Sequence, residues 1–225
     1  MSSSTKTTGT AAQVDRGSST AWTNPTNAQG APDTVVATCA LSTVGADYLV
    51  CTNFSFAIPA GSIINGVTCT VRASESGTGT SNYTAQLCSN ATPTLIGSSK
   101  TSGTITGTTL TDYSVGSTSD VWSATLDSTA VNSSTFGVSI WSTDTTNTLS
   151  VDSVTLIIEY TDPVNVTLAG QAGTGALGTL VPSSGTQVAL AGQVATGAIA
   201  SLAPSRSVAL SGQVATGAVQ ALVPA

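Results

Sequence analysis

Apolar and polar residues alternate with period two through most of the first two thirds of the chain, the period of a strand with one buried face. Tyr48, Val50, Phe54, Phe56 and Ile58 share one parity and run into Pro59-Ala60-Gly61, a turn signal. Ile63, Val67, Cys69, Val71 and Ala73 define a second buried face, with Thr68, Thr70 and Arg72 opposite. Tyr83, Ala85 and Leu87 define a third, and Phe136, Val138 and Ile140 a fourth. Val154, Leu156, Ile158 and Tyr160 close the series, with Thr155 and Glu159 pointing outward. Gly/Ser/Thr-rich stretches at 74–81 and 98–109 separate the strands. No segment repeats apolar residues every 3.6 positions over three turns, so no long helix is expected. The pattern predicts an all-β fold: an antiparallel, jelly-roll-like β-sandwich over residues 21–162. All ten aromatic residues fall inside that span, which is long enough to build its own core.

The two ends read differently. Residues 1–20 are rich in Ser, Thr and Gly without periodicity, and are expected to form a flexible or extended arm that orders by lying along a neighbour. Residues 163–225 hold an internal repeat. Val166-Thr-Leu168-Ala-Gly170-Gln, Val188-Ala-Leu190-Ala-Gly192-Gln and Val208-Ala-Leu210-Ser-Gly212-Gln each lead to Thr-Gly-Ala and then to Leu-x-Pro. Each copy reads as two short strands, Val-x-Leu and the later Ala-x-x-x-Leu, bent at the glycines. One such unit cannot bury its apolar face alone. The expectation is therefore oligomerisation or attachment through Val166, Leu168, Val188, Leu190, Val208 and Leu210, with a trimer favoured.

Charge sharpens this division. Only 7% of the 225 residues are charged, with a net charge of −6 and no histidine, while 40 Thr and 32 Ser make the chain hydroxyl-rich. Five cations are too few to neutralise a phosphate backbone, so no nucleic-acid partner is expected. Without histidine, Ser-His-Asp and Cys-His catalysis and imidazole metal sites are unavailable. No apolar run of about 18 residues exists, so no membrane-spanning segment is expected. The first residues show no hydrophobic leader, which predicts synthesis in the cytoplasm without a signal peptide. Arg206 is the one charge after residue 162, so the repeats have little to keep them soluble alone.

Cys39, Cys51, Cys69 and Cys88 lie on expected strands, with no C-x-x-C spacing. They are either buried thiols or one or two bridges between strands. Five Asn-x-Ser/Thr sequons occur, at Asn53, Asn82, Asn90, Asn132 and Asn165.

Several stretches carry a resemblance. Trp22-Thr-Asn-Pro25 precedes Ala31-Pro-Asp33. Phe54-Ser-Phe56-Ala-Ile58-Pro59-Ala-Gly61-Ser-Ile63 runs on to Gly66-Val67. Asp120-Val-Trp122, Phe136-Gly-Val138 and Val151-Asp-Ser-Val154 follow in order. Residues 22–160 resemble a β-sandwich domain of tailed-bacteriophage virion proteins, which sits on head-surface, tail or fibre proteins. The C-terminal copies are similar to V-A-L-x-G-x-x-A-T-G-A repeats appended to phage structural proteins. Ser62 departs from the small apolar residue usual there, and the four cysteines lie outside the pattern. The resemblance implies a virion-surface component without enzymatic activity, most naturally capsid decoration or a head fibre, otherwise a tail component. Its partners would be further copies of itself and capsid or tail proteins.

The alternative function is a receptor- or carbohydrate-binding adhesin contacting host surface glycan. Trp141 follows Ile140, so one of the two faces away from the core, where a tryptophan meets a partner subunit or a sugar. Asp120-Val-Trp122 offers either a sugar contact, with Trp122 as platform, or a core tryptophan with a turn-capping aspartate. A polysaccharide-degrading enzyme ranks last: Asp112, Asp120, Asp127 and Asp144 show no paired spacing for acid–base work. No cofactor is expected, and no D-x-D-x-D-G loop points to a dedicated metal site, although loop carbonyls could bind a cation.

Overall fold

The computed structural model describes residues 1–41, 44–77, 79–169, 172–173, 186–191, 194–195, 208–211 and 214–215, with side chains through Pro163. The chain forms two units, Met1–Ile58 with Ile64–Tyr160, and Pro59–Ile63 with Thr161–Ala225.

The first unit contains β1 (Ser2–Thr7), β2 (Thr10–Val14), β3 (Ala37–Ala40), β4 (Tyr48–Thr52), β5 (Ile63–Ser76), β6 (Thr84–Cys88), β7 (Leu95–Thr101), β8 (Thr111–Ser117), β9 (Gly137–Trp141) and β10 (Thr148–Thr161). They make two five-stranded sheets. The back sheet has the order β1-β10-β5-β8, with β3 also on β10; the front sheet has the order β2-β4-β9-β6-β7. The recorded pairs in both sheets are antiparallel. This is the expected β-sandwich. Among the described residues helix is confined to a turn at Pro25–Ala28 and to α1 (Ser128–Asn132), which Asp127 caps by accepting from Ala130 N.

The interior follows the alternation. Val67, Cys69, Val71 and Ala73 face inward from β5 and are fully buried, as are Tyr83, Ala85 and Leu87, and Val154, Leu156 and Ile158 from β10. The register breaks in two places. Asn53 and Ser55 have φ of 57° and 54°, which resets the alternation. Phe54, Phe56 and Ile58 therefore point inward after the reset, while in β4 it is Leu49 and Cys51 that do so, and Tyr48 is left half-buried. Ile64 rather than Ile63 is the buried residue at the start of β5. All four cysteines are buried free thiols, which decides between the two readings of them.

The N-terminal residues are not a separate arm. Ser2–Thr7 pairs with β10 from Ser2↔Tyr160 to Thr7↔Thr155, and Thr10–Val14 pairs with β4 from Thr10↔Thr52 to Val14↔Tyr48. The segment is extended, as expected, but it supplies one strand to each sheet of its own sandwich. The backbone makes this pairing, and the hydroxyl-rich composition of the segment does not record it.

The second unit contains the repeats. Strands β11 (Val164–Ala169), β13 (Thr186–Ala191) and β15 (Val208–Ser211) form one parallel sheet; β12 (Ala172–Gly173), β14 (Val194–Ala195) and β16 (Val214–Ala215) form another. Val166 pairs with Val188 and Val188 with Val208; Leu168 pairs with Leu190 and Leu190 with Leu210. The pairing partner of each repeat is thus the next repeat of the same chain, in register with the sequence period. The second strand of each repeat begins at the residue after the Gly-Gln pair. The expected Ala-x-x-x-Leu strands lie outside the described residues.

Candidate functional site

The outer face of the front sheet is built from residues at the positions opposite to the core. The registers line them up across four strands. Ala12, Val50, Ser139 and Gln86 form one row, and Thr10, Thr52, Gly137 and Cys88 the next. One step the other way, Val14 pairs with Tyr48 and Trp141 with Thr84, and Tyr48 meets Trp141. Val50 and Ser139 are buried at the floor of this face, and the Cys88 thiol lies against Ser139. Tyr48 and Trp141 are half-buried, so each offers part of its ring to solvent.

The two rings meet edge-to-face, with centroids 5.2 Å apart and planes at 89°. Arg16, just past β2, lays its guanidinium over both, 5.9 Å from the Tyr48 centroid and 6.0 Å from that of Trp141. Its position is set from below. Arg16 Nε donates to the Ala46 carbonyl at 3.1 Å, and its backbone N–H donates to Asp47 Oδ1 at 3.1 Å. Asp47 is buried and its Oδ2 accepts from Gln13 Nε2 at 2.7 Å; its carbonyl accepts from the Trp22 indole N–H at 2.8 Å. A guanidinium so placed has lost much of its rotamer freedom before any ligand arrives, which lowers the cost of binding. The cation–π contacts contribute about 0.5–1 kcal/mol each where solvent still reaches the rings. No ion pair to Arg16 occurs among the described residues. Chemically, the cluster can stack on an apolar ring face and donate hydrogen bonds at its edge.

Ile140 is fully buried and Trp141 half-buried, so Trp141 is the one of the two that faces away from the core. Asp120 and Trp122 stand apart from it and do different work. Trp122 is completely buried, so of the two readings of Asp120-Val-Trp122 the core one holds and the sugar platform does not: its ring fills the core and its indole N–H donates to the Val67 carbonyl at 2.8 Å. Gly116, with φ of 83°, makes room for it, because a Cβ there would meet the Val67 carbonyl and the indole itself. Asp120 accepts from Trp122 N at 2.7 Å and pairs with Lys100 at 2.6 Å. The hydrogen bond from Lys100 holds the Asp120 carboxyl below the usual carboxylate range. Lys100 also lies 5.4 Å from the Trp122 centroid. This is the turn-capping arrangement rather than a ligand contact.

The other aspartates are dispersed. Asp112 pairs with Arg72 at 3.4 Å, Asp127 caps α1, and Asp144 accepts from Asn82 N at 2.6 Å and Ser142 Oγ at 3.2 Å. The repeat residues Val166, Leu168, Val188, Leu190, Val208 and Leu210 lie on paired backbone positions of the second unit. Sequence reasoning missed Arg16 and Tyr48. The signal for Tyr48 was its alternation with Leu49; nothing in the composition of residues 1–20 singled out Arg16.

No protein family and no curated protein matches the chain. Solved structures with partial similarity include BiXyn10A CBM1 in its apo form, at 10% identity, covering 66% of this chain and 96% of that one, with a TM-score of 0.38. Another is the CBM22-1–GH10 portion of the Clostridium thermocellum endo-1,4-beta-D-xylanase 10B with xylohexaose, at 14% identity, covering 68% and 28%, with a TM-score of 0.38. A third is the CBM22-1 xylan-binding domain of Paenibacillus barcinonensis Xyn10C, at 9% identity, covering 68% and 85%, with a TM-score of 0.33. Likeness of this size assigns no ligand to the chain.

Proposed function

We propose that the sandwich is a non-catalytic carbohydrate-binding module of an adhesin, with the outer face of the front sheet as its contact surface. The observation that carries this reading is the Arg16–Tyr48–Trp141 cluster, an aromatic pair and a guanidinium held together on a half-buried sheet face. Sugars present apolar C–H faces to aromatic rings and hydroxyls to hydrogen-bonding side chains, and this face offers both kinds of partner. The test is retardation of the folded protein in gels containing soluble polysaccharides, backed by a glycan array. Wild type should be retarded by at least one polymer, and Trp141→Ala should abolish that retardation with the fold intact. Absence of binding to every polymer by folded wild type would reject the reading.

The repeats favour a second, compatible reading: an exterior virion protein of a tailed bacteriophage, as capsid decoration or head fibre, otherwise a tail or fibre component. Three backbone rungs in parallel register make a regular attachment element with almost no charge. Its partners would be further copies of the chain, a trimer being the favoured state, and capsid or tail proteins. Many copies per particle, counted in purified virions, would support capsid decoration. Absence from purified particles would reject the virion reading.

A further inference from the structure

Three carboxylates of the sandwich are buried almost completely, and two of them are well provided for. Asp47 takes Gln13 Nε2 and Arg16 N on its two oxygens. Asp152 takes the N–H groups of Asp33 and Thr34 on Oδ1, and Arg72 Nε lies 3.2 Å from its Oδ2. The third is Glu75, near the end of β5 and 1% exposed. Among the described residues its Oε2 accepts only the neutral Ser81 hydroxyl, at 3.1 Å, and its Oε1 has no hydrogen-bond partner. None of the ion pairs among the described residues involves it. A carboxylate in that position is costly unless something neutralises it.

Glu75 N–H donates to the Gly107 carbonyl, and Ser81 and Ile105 exchange both backbone hydrogen bonds, which fixes the Ser81 hydroxyl beside the carboxylate. Two residues along from Glu75, Gly77 is packed so closely on the Asn147 side-chain amide that a Cβ would overlap it. The Nδ2 of that amide is likewise buried without a partner. No group of three or more His, Cys, Asp and Glu that could hold a metal ion occurs among the described residues, so neutral oxygens would have to supply the rest of any cation's shell.

We propose that Glu75 is the charged ligand of a site for a hard, oxygen-seeking cation, Ca²⁺ or Na⁺, completed by neutral oxygens at this end of the sandwich. One carboxylate with hydroxyl, amide and carbonyl oxygens is a low-charge ligand set, which sets a weak affinity of about 10⁻⁴–10⁻³ M for Ca²⁺. The site is distinct from the Arg16–Tyr48–Trp141 face and does not depend on its function.

Thermal melting of the full chain at constant ionic strength tests it, with CaCl₂ or NaCl replacing choline chloride. Wild type should gain about 5 °C at saturating cation. Glu75→Gln, which keeps the shape and removes the charge, should fold and lose that gain. A response to Ca²⁺ alone identifies a divalent site, and an equal response to Na⁺ a monovalent one. Calorimetric titration of wild type with CaCl₂ and with NaCl gives a readout that does not require the variant to fold. A wild-type Tm indifferent to both cations, with no heat of binding, overturns the proposal; so does a folded Glu75→Gln variant that responds like wild type.

Discussion

Tyr48 and Trp141 meet edge-to-face on the front sheet, 5.2 Å between centroids, although they belong to different strands and are 93 positions apart in the chain. The β4–β9 register causes this. Leu49 opposes Ile140 on the core side, so the next positions out bring the two rings together on the other side. The same ladder that packs the core thus builds the outer face, and a shift of one residue would turn both rings inward.

Two tryptophans of this sandwich should respond to truncation with losses of very different size. Trp141→Ala removes a half-buried ring and one aromatic contact, a loss of about 1–2 kcal/mol with the fold retained. Trp122→Ala empties a fully buried core position and leaves the Val67 carbonyl without its donor, costing about 3–5 kcal/mol. Urea unfolding of both variants checks the contrast. Equal losses would mean that the outer ring is as much a part of the core as the inner one.

Asn132 clamps the end of the Phe54–Ile58 segment: it accepts from Ile58 N at 2.9 Å and donates to Ile58 O at 2.8 Å. Asn132→Ala breaks both bonds and should cost about 1–3 kcal/mol. Asn132→Asp keeps the acceptor but sets a second oxygen against the Ile58 carbonyl, and should do no better than alanine. A stability for Asn132→Asp equal to wild type would show that the donated bond contributes nothing. The clamp also uses the nitrogen that glycosylation of this sequon would modify, so no glycan should be found at Asn132 in the folded protein.

Alkaline pH should destabilise the sandwich through its thiols. Burial pushes the Cys69 thiol up to about 12 and the Cys88 thiol up to about 11, from an ordinary value of 9.0. Cys39 reaches about 11, by burial and then by the nearby Asp47 charge, and burial drives Cys51 well up as well. Folding thus favours the neutral thiol, while the unfolded chain releases its protons near pH 9.0. The contribution is complete below about pH 9 and is lost as pH rises toward 11–12. Melting temperatures should fall steadily above pH 9, and Cys69→Ala should show a shallower fall. Identical slopes for the variant and wild type would remove Cys69 from the explanation. At pH 8 the native thiols should react with a disulfide reagent only as fast as the chain unfolds.

How much of this was legible depends on where the information lies. The strands of the core were readable because Val67, Cys69, Val71 and Ala73 alternate without interruption. Trp141 was readable as an outward residue because Ile140 claims the core. Tyr48 was not, because its parity was counted through Asn53 and Ser55, whose left-handed backbone shifts the phase and leaves no mark in the side-chain pattern. Residues 1–20 failed for a different reason: Ser2–Thr7 joins an edge by backbone hydrogen bonds, which composition does not record. Arg16 was missed with them, since its partners Ala46, Tyr48 and Trp141 come from distant strands.

The repeat stack offers the sharpest test of local pairing. Strand β13 is paired on both sides, with β11 and with β15, whereas β15 is an edge among the described residues. Proline removes a backbone donor and does not fit the interior of a ladder, so its damage scales with the pairing it interrupts. Ala189→Pro should therefore disrupt the whole stack, exposing residues 163–225 to protease. Ala209→Pro should loosen the third repeat and leave the first two paired. In both variants the sandwich should remain intact, with its own cooperative melting transition, because its strands end at Thr161. Limited proteolysis with mass measurement of the fragments reads the outcome directly. Equal protection of the two variants would mean that the three repeats do not pair in the observed order.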